Sequence, residues 1–210
     1  MKKGFSSYKK SLLIASVWIF FITSLLHFTY SFTGFYPLSF ISAVNESVWE
    51  HAKIVFFATL FYNIFIYIRS YRKNCNFIAG LGPSLASILI TVPFLFYGYS
   101  GILGFNLLAV DLIIVLISAL IAQYILIKIT SSKKDLCTYK NLSLLLILAM
   151  VMMLFLFTWY PPNLPPFQKP LEIAYSTINS FMRPAASRSS SASTIEAFSS
   201  YSTEFTRPFS

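Results

Sequence analysis

Five long apolar runs, separated by short polar segments, organise this chain. They cover about residues 11–30, 47–68, 77–97, 106–129 and 142–159. Each is close to the roughly 20 apolar residues that a helix needs to cross a bilayer. The pattern predicts an all-α protein, a polytopic integral membrane helical bundle of about five transmembrane helices. Pro83 and Pro93 fall inside the third run and predict kinks there. The fifth run stops at Pro161-Pro162, with Pro165-Pro166 following. Ser47 and Glu50 fit a capping box at the start of the second helix. Residues 31–44 predict a loop around Gly34 and Pro37 that dips Phe35, Tyr36, Leu38 and Phe40 into the membrane interface.

The membrane domain therefore spans residues 1–170. The first run has the basic start of a signal peptide. No small-residue cleavage site follows it, because Leu26-His27-Phe28-Thr29-Tyr30 is bulky, and it reads as an uncleaved anchor. Beyond Pro170, Leu171, Ala174, Tyr175, Ile178 and Phe181 recur at helical spacing, which predicts an interfacial amphipathic helix over 171–183. The Ser-rich segment 184–210 reads as a disordered tail. No internal repeat is visible, and an odd number of spans argues against an inverted-repeat transporter.

Composition strengthens this picture. The chain is 56% hydrophobic and 11% charged, against about 25% charged for a soluble domain. A single soluble core cannot bury five such helices. The net charge of +9 is consistent with a nucleic-acid partner only until its placement is examined. Lys2, Lys3, Lys9 and Lys10, then Arg69, Arg72 and Lys73, then Lys128, Lys133, Lys134 and Lys140 all flank apolar runs. That is the signature of cytoplasmic loops. It places the amino terminus inside and the carboxyl terminus outside, in the cell membrane, with the lipid bilayer as partner and no nucleic acid. Cys75 and Cys137 fall in the basic loops, where a reducing cytoplasm predicts free thiols.

The segment Asn45-Glu46-Ser47-Val48-Trp49-Glu50-His51 concentrates the chemistry. Charged groups are costly in lipid, so a cluster between apolar runs calls for an explanation. Part of it is ordinary helix-start chemistry. Glu46 and Glu50 suit the helix dipole, Glu50 and Lys53 can pair at i, i+3, and Trp49, like Trp159, suits the aromatic belt. His51 is not needed for capping, and His27 lies at matching depth on the adjacent span. Two histidines with a carboxylate can hold a divalent metal, which makes His27, His51 and Glu50 the metal candidates. The spacing does not diagnose a metal site, and a His–carboxylate pair used for packing or for proton handling fits it too.

Asp111 lies about 7–8 Å into the fourth span at 1.5 Å per residue. Its candidate partners are His51, His27 or Lys53, with Tyr97 or Asn106 as neutral alternatives. Asn63 and Gln123 lie deeper, and each reads as a source of interhelical hydrogen bonds. By depth, His27, Asn45, Glu46, Glu50, His51 and Asp111 all fall toward the outer side.

Three segments carry a resemblance: Leu26-His27-Phe28-Thr29-Tyr30, Val44-Asn45-Glu46-Ser47-Val48-Trp49-Glu50-His51, and Tyr160-Pro161-Pro162-Asn163-Leu164-Pro165. Over roughly residues 11–170 the chain resembles a family of small multi-pass bacterial membrane proteins known only as a domain of unknown function. The resemblance implies that His27, Asn45, Glu46, Glu50 and His51 belong to a shared pattern. It implies no activity. Members tend to close with an acidic, Gly-containing segment, which Phe167-Gln168-Lys169-Pro170 and the Ser-rich tail replace here.

Three expectations follow. The first is an outward-facing polar pocket that binds a ligand or ion, or handles protons, centred on Glu50 and His51. The second is a membrane-embedded, metal-assisted enzyme acting on a lipid-like substrate. The third is a structural or accessory subunit. The residues assign no cofactor and no oligomeric state.

Overall fold

A computed structural model of the chain describes residues 2–72 and 74–167, with residues 2–10 as backbone alone. The predicted segments 171–183 and 184–210 lie outside the described residues. Five helices make up the fold: α1 (Lys2–Thr33), α2 (Val48–Ile66), α3 (Cys75–Leu103), α4 (Leu108–Thr130) and α5 (Lys140–Trp159). A π-helical turn, Tyr67–Tyr71, prolongs α2. Short 3-10 turns occupy Tyr36–Phe40, Cys137–Tyr139 and Pro165–Phe167. No strand occurs among the described residues. Five stretches of 23 to 29 residues, built on these helices and, for α2 and α5, the adjoining turns, are long and apolar enough to cross a membrane.

The distribution of side chains is that of a membrane protein. Trp18, Phe21, Ile90, Phe94, Leu142, Leu145 and Met152 are exposed on the helix flanks. Ser16, Thr59, Asn63, Ser84 and Ser118 are almost completely enclosed. In water this arrangement would leave a large apolar surface unprotected, whereas lipid covers it, and of the enclosed polar groups Ser84 and Asn63 bond to α4. The core gathers Ile19, Phe56, Leu85, Ile88, Ala119, Ala122, Leu126 and Leu154, contributed by all five helices. Helix α3 packs against α2, α4 and α5, and α1 packs against α2 and α4.

Hydroxyl groups join the helices where the backbone is weakest. Pro83 has no amide and interrupts α3. One residue earlier, the Ser143 hydroxyl of α5 accepts from the Gly82 amide at 2.8 Å and donates to the Ile78 carbonyl at 2.6 Å. It thus occupies the space between two groups that an unbroken helix would pair at i and i−4. A glycine is required at this approach. A Cβ on Gly82 would lie 2.6 Å from the Ser143 hydroxyl and 3.0 Å from its carbonyl oxygen. Ser84 donates to the Ala122 carbonyl of α4 at 2.8 Å, and Gln123 donates to Asn63 at 3.2 Å, so the two deep amides expected to bond between helices bond to each other.

The structure changes several expectations. Helix α3 runs past its predicted end at Tyr97, because the left-handed glycine that stops it is Gly104 (φ 75°), whose amide bonds to the Ser100 carbonyl at 2.8 Å. In the first loop Phe40 and Tyr36 pack on α5, while Phe35 stays exposed. Phe40 stacks on Phe155 at 3.7 Å between ring centroids, and Tyr36 meets Trp159 at 4.6 Å. Trp49, expected in the interfacial belt, is buried against Phe157 and Phe167.

Cys75 and Cys137 form a disulfide. Asn76 explains their approach. Its amide donates to the Lys134 carbonyl at 2.9 Å, and its carbonyl accepts from the Leu136 amide at 2.9 Å. The α4–α5 loop is thereby held against the start of α3, with the two Cα atoms 5.0 Å apart.

Gly82→Ala is expected to lower stability by about 1–3 kcal/mol, the usual cost of overpacking a tight contact. Gly98→Ala, with nothing within 4 Å of the added methyl, should leave it unchanged. Thermal unfolding in detergent micelles reads both, and equal midpoints would contradict the α3–α5 contact.

Candidate functional site

The loop between α1 and α2 is anchored to α1 before it reaches the polar motif. The Ser42 hydroxyl donates to the Leu26 carbonyl and accepts from the Tyr30 amide at 3.0 Å. This is the arrangement of Ser143 in α3, repeated in the last turns of α1. It draws residues 42–47 alongside His27. Asn45 then forms a local turn, its side-chain oxygen accepting from the Ser47 amide at 2.9 Å. Ser47 caps α2 by accepting from the Glu50 amide at 3.3 Å. Only half of the predicted capping box forms, because Asn45 has taken the Ser47 amide that Glu50 would have used.

This path brings His27, Glu46 and His51 together. Glu46 Oε2 lies 3.7 Å from His27 Nε2 and 3.7 Å from His51 Nε2. The two imidazoles meet edge to face at 5.1 Å. One ligand atom from each residue falls within 4.8 Å of the others. Zinc–nitrogen and zinc–oxygen bonds of about 2.0–2.1 Å in a tetrahedron would put donors roughly 3.3 Å apart. The ligand atoms all lie within 4.8 Å of one another, and closing the gap in the two 3.7 Å carboxylate pairs takes about 0.4 Å. The carboxylate that would close it is also the freest of the three groups, at 67% exposed against 27% for each histidine.

The tautomer of His51 is set by its neighbour. Nδ1 lies 2.8 Å from the Ser47 carbonyl oxygen. A carbonyl only accepts, so Nδ1 carries the proton and the Nε2 lone pair of the neutral ring points to Glu46 and His27. Metal-binding imidazoles are commonly oriented in this way, with the far nitrogen donating to a carbonyl or carboxylate. His27 stacks on Phe28 at 5.0 Å.

Glu50 does not join the histidines, and as a metal candidate it is replaced by Glu46. Its carboxylate accepts from the Val44 amide at 2.9 Å and pairs with Lys53 at 2.6 Å. Lys53 is fully buried and spends all three of its donors. Besides Glu50 it bonds to the Ser39 carbonyl at 2.8 Å and to the Thr158 hydroxyl at 3.1 Å. The i, i+3 spacing was legible in the sequence, but the partners from the loop and from α5 were not.

Asp111 is also separate from the histidines. It accepts a hydrogen bond from Tyr99, not from Tyr97 or Asn106, and does not pair with His27, His51 or Lys53. Tyr99 in turn accepts from the Leu107 amide at 3.3 Å, so this unit closes the short α3–α4 connection. The six expected site residues thus divide into a His27–Glu46–His51 cluster, the Asn45 turn that positions Glu46, a buried Glu50 pair and an Asp111–Tyr99 pair. A cleft of about 580 Å³ lies at the opposite end of the bundle, between the α2–α3 turn and Ser132–Asp135.

Replacing either member of a buried ion pair leaves the other uncompensated, at a cost of about 3–5 kcal/mol. Glu50→Gln and Lys53→Met are each expected to lose about that much, and the double variant to recover most of it. Unfolding measurements of the four proteins test this, and simply additive losses would mean the groups are not coupled.

No curated protein and no solved structure matches the chain. A family model does match, over residues 1–177, and its description is a family of unknown function, DUF6512. The match takes in all five helices and the whole histidine–carboxylate cluster, and the chain belongs to this family.

Proposed function

We propose that this is a multi-pass protein of the cell membrane that binds a divalent transition-metal ion at an outward-facing site formed by His27, Glu46 and His51. The observation that carries the reading is the convergence of the three donor atoms within 4.8 Å. The Nδ1 contact of His51 with the Ser47 carbonyl supports it, since it leaves Nε2 as the nitrogen turned toward the cluster. A mixed nitrogen and oxygen donor set suits zinc and its neighbours better than magnesium or calcium, which favour oxygen alone.

The orientation rests on loop charge. Arg69, Arg72, Lys128, Lys133, Lys134 and Lys140 lie at the end of the bundle opposite the cluster. The positive-inside rule assigns that end to the cytoplasm and the cluster to the outside, against the Cys75–Cys137 disulfide, which sits at the same end and suits an oxidising compartment. A periplasmic-type reporter fused after Ser210 is then expected to be active, and cytoplasmic activity of that fusion would reverse the orientation.

Purified protein is expected to bind one zinc ion per chain. His27→Ala and His51→Ala should each weaken zinc binding by more than the roughly 10–100-fold typical of losing a supporting group beyond the ligands. Asp111→Asn, remote from the cluster in its bonding, should retain it. Isothermal titration with zinc measures this. Protein that takes up no stoichiometric zinc, or variants that bind as the parent does, would overturn the assignment.

A further inference from the structure

The number of available donors distinguishes two kinds of transition-metal site. Structural zinc is closed by four protein ligands, whereas reactive zinc has three and leaves the remaining position to water or substrate. Among the described residues the cluster offers three: His27, Glu46 and His51.

The neighbouring polar groups are committed elsewhere. Glu50 is held by Lys53 and the Val44 amide. The Asn45 oxygen is held by the Ser47 amide, the Ser47 hydroxyl by the Glu50 amide, and the Ser42 hydroxyl by the backbone of α1. Turning any of them toward the histidines would break a bond that shapes the loop or closes a helix end. The exposure of the cluster is also one-sided. The Glu46 carboxylate stands in solvent while both imidazoles are mostly covered.

Charge narrows the class of ligand. Two neutral imidazoles and one carboxylate around a divalent ion leave a net charge of about +1. The nearest buried cation, Lys53, is neutralised by Glu50 and adds nothing to that balance.

On the reading that the cluster binds a transition metal, we infer that the bound ion keeps one exchangeable coordination position on the Glu46 side, and that this position takes a small anionic ligand. A monoanion neutralises the site, so the chemistry recognised is that of an anionic donor such as a carboxylate, a phosphate oxygen or azide. The site is a Lewis-acid centre that exchanges ligands. It is not a clasp that merely ties α1 to α2.

Cobalt(II) makes the position visible, because its visible absorption reports coordination number and ligand exchange. The full-length protein in detergent is loaded with cobalt(II) and titrated with sodium azide, then with acetate and inorganic phosphate as competitors. The expected result is one bound cobalt(II) per chain, a saturable spectral change with azide, and its reversal by the competing anions. Stoichiometric cobalt(II) with a spectrum indifferent to azide would mean that a fourth protein donor closes the site. That result would overturn the inference while leaving the metal assignment intact. Failure to bind cobalt(II) or zinc at all would overturn the metal assignment, and the inference with it. A further arm separates the cluster from stray surface binding: in Glu46→Gln the azide-sensitive cobalt(II) spectrum should weaken or disappear. An unchanged azide response in that variant would place the exchangeable ion elsewhere and overturn the inference.

Discussion

The ammonium of Lys53 is the constraint on which this end of the molecule depends. A buried lysine costs several kcal/mol unless its charge is matched and its three N–H groups are bonded. Here one goes to Glu50 on the same helix, one to Ser39 in the first loop, and one to Thr158 on α5. Because none can be released cheaply, three separate parts of the chain are fixed relative to one another. Glu50 extends the arrangement by accepting the Val44 amide just before the polar motif. The loop enters that motif with its course already set. Glu46 projects toward the two histidines because residues on either side of it are tied down.

A second theme is the use of hydroxyls as interhelical ligands for the backbone. In lipid no bulk hydrophobic force drives helices together, so close packing and hydrogen bonds carry more of the association. Ser143 bridges Gly82 and Ile78, and Ser42 bridges Tyr30 and Leu26. In both cases a hydroxyl, Ser143 on a helix and Ser42 in a loop, becomes a specific point of contact with the backbone of a neighbouring helix. The two contacts also serve different ends of the molecule. The Ser143 bridge sets the separation of α3 and α5, and the Ser42 bridge places His27 beside the motif.

How much of this was legible in the sequence follows from the range of the interactions. The five apolar runs report a local property, the hydropathy of consecutive residues, and they foresee the all-helical fold. The Ser47 cap was legible from spacing, and the interhelical bonding of Asn63 and Gln123 from their depth, though not that they pair with each other. The histidine pair was visible as two residues of matching depth. The identity of its carboxylate was not, because Glu46 and Glu50 lie at the same depth, and contacts with Lys53 and the Val44 amide turn Glu50 inward. Asp111 shows the same limit, since depth alone brought it level with the histidines but a nearby tyrosine, Tyr99, holds it. The cysteines were read from the compartment their loops were expected to face. Their actual pairing depends on Asn76 clasping a loop more than fifty residues away. Rotation of a helix about its own axis decides such contacts, and near-uniform apolar helices carry little signal of it.

The Cys75–Cys137 bond has a meaning beyond holding a loop in place. The two sulfurs are separated by 62 positions, and the segment between them contains all of α3, the α3–α4 connection and α4. In the folded protein the sulfurs meet because α3 leads away from this end of the bundle and α4 returns to it. The bond is therefore a covalent tie across the base of a helical hairpin. Two helices that could otherwise separate at that end share one closed loop of chain.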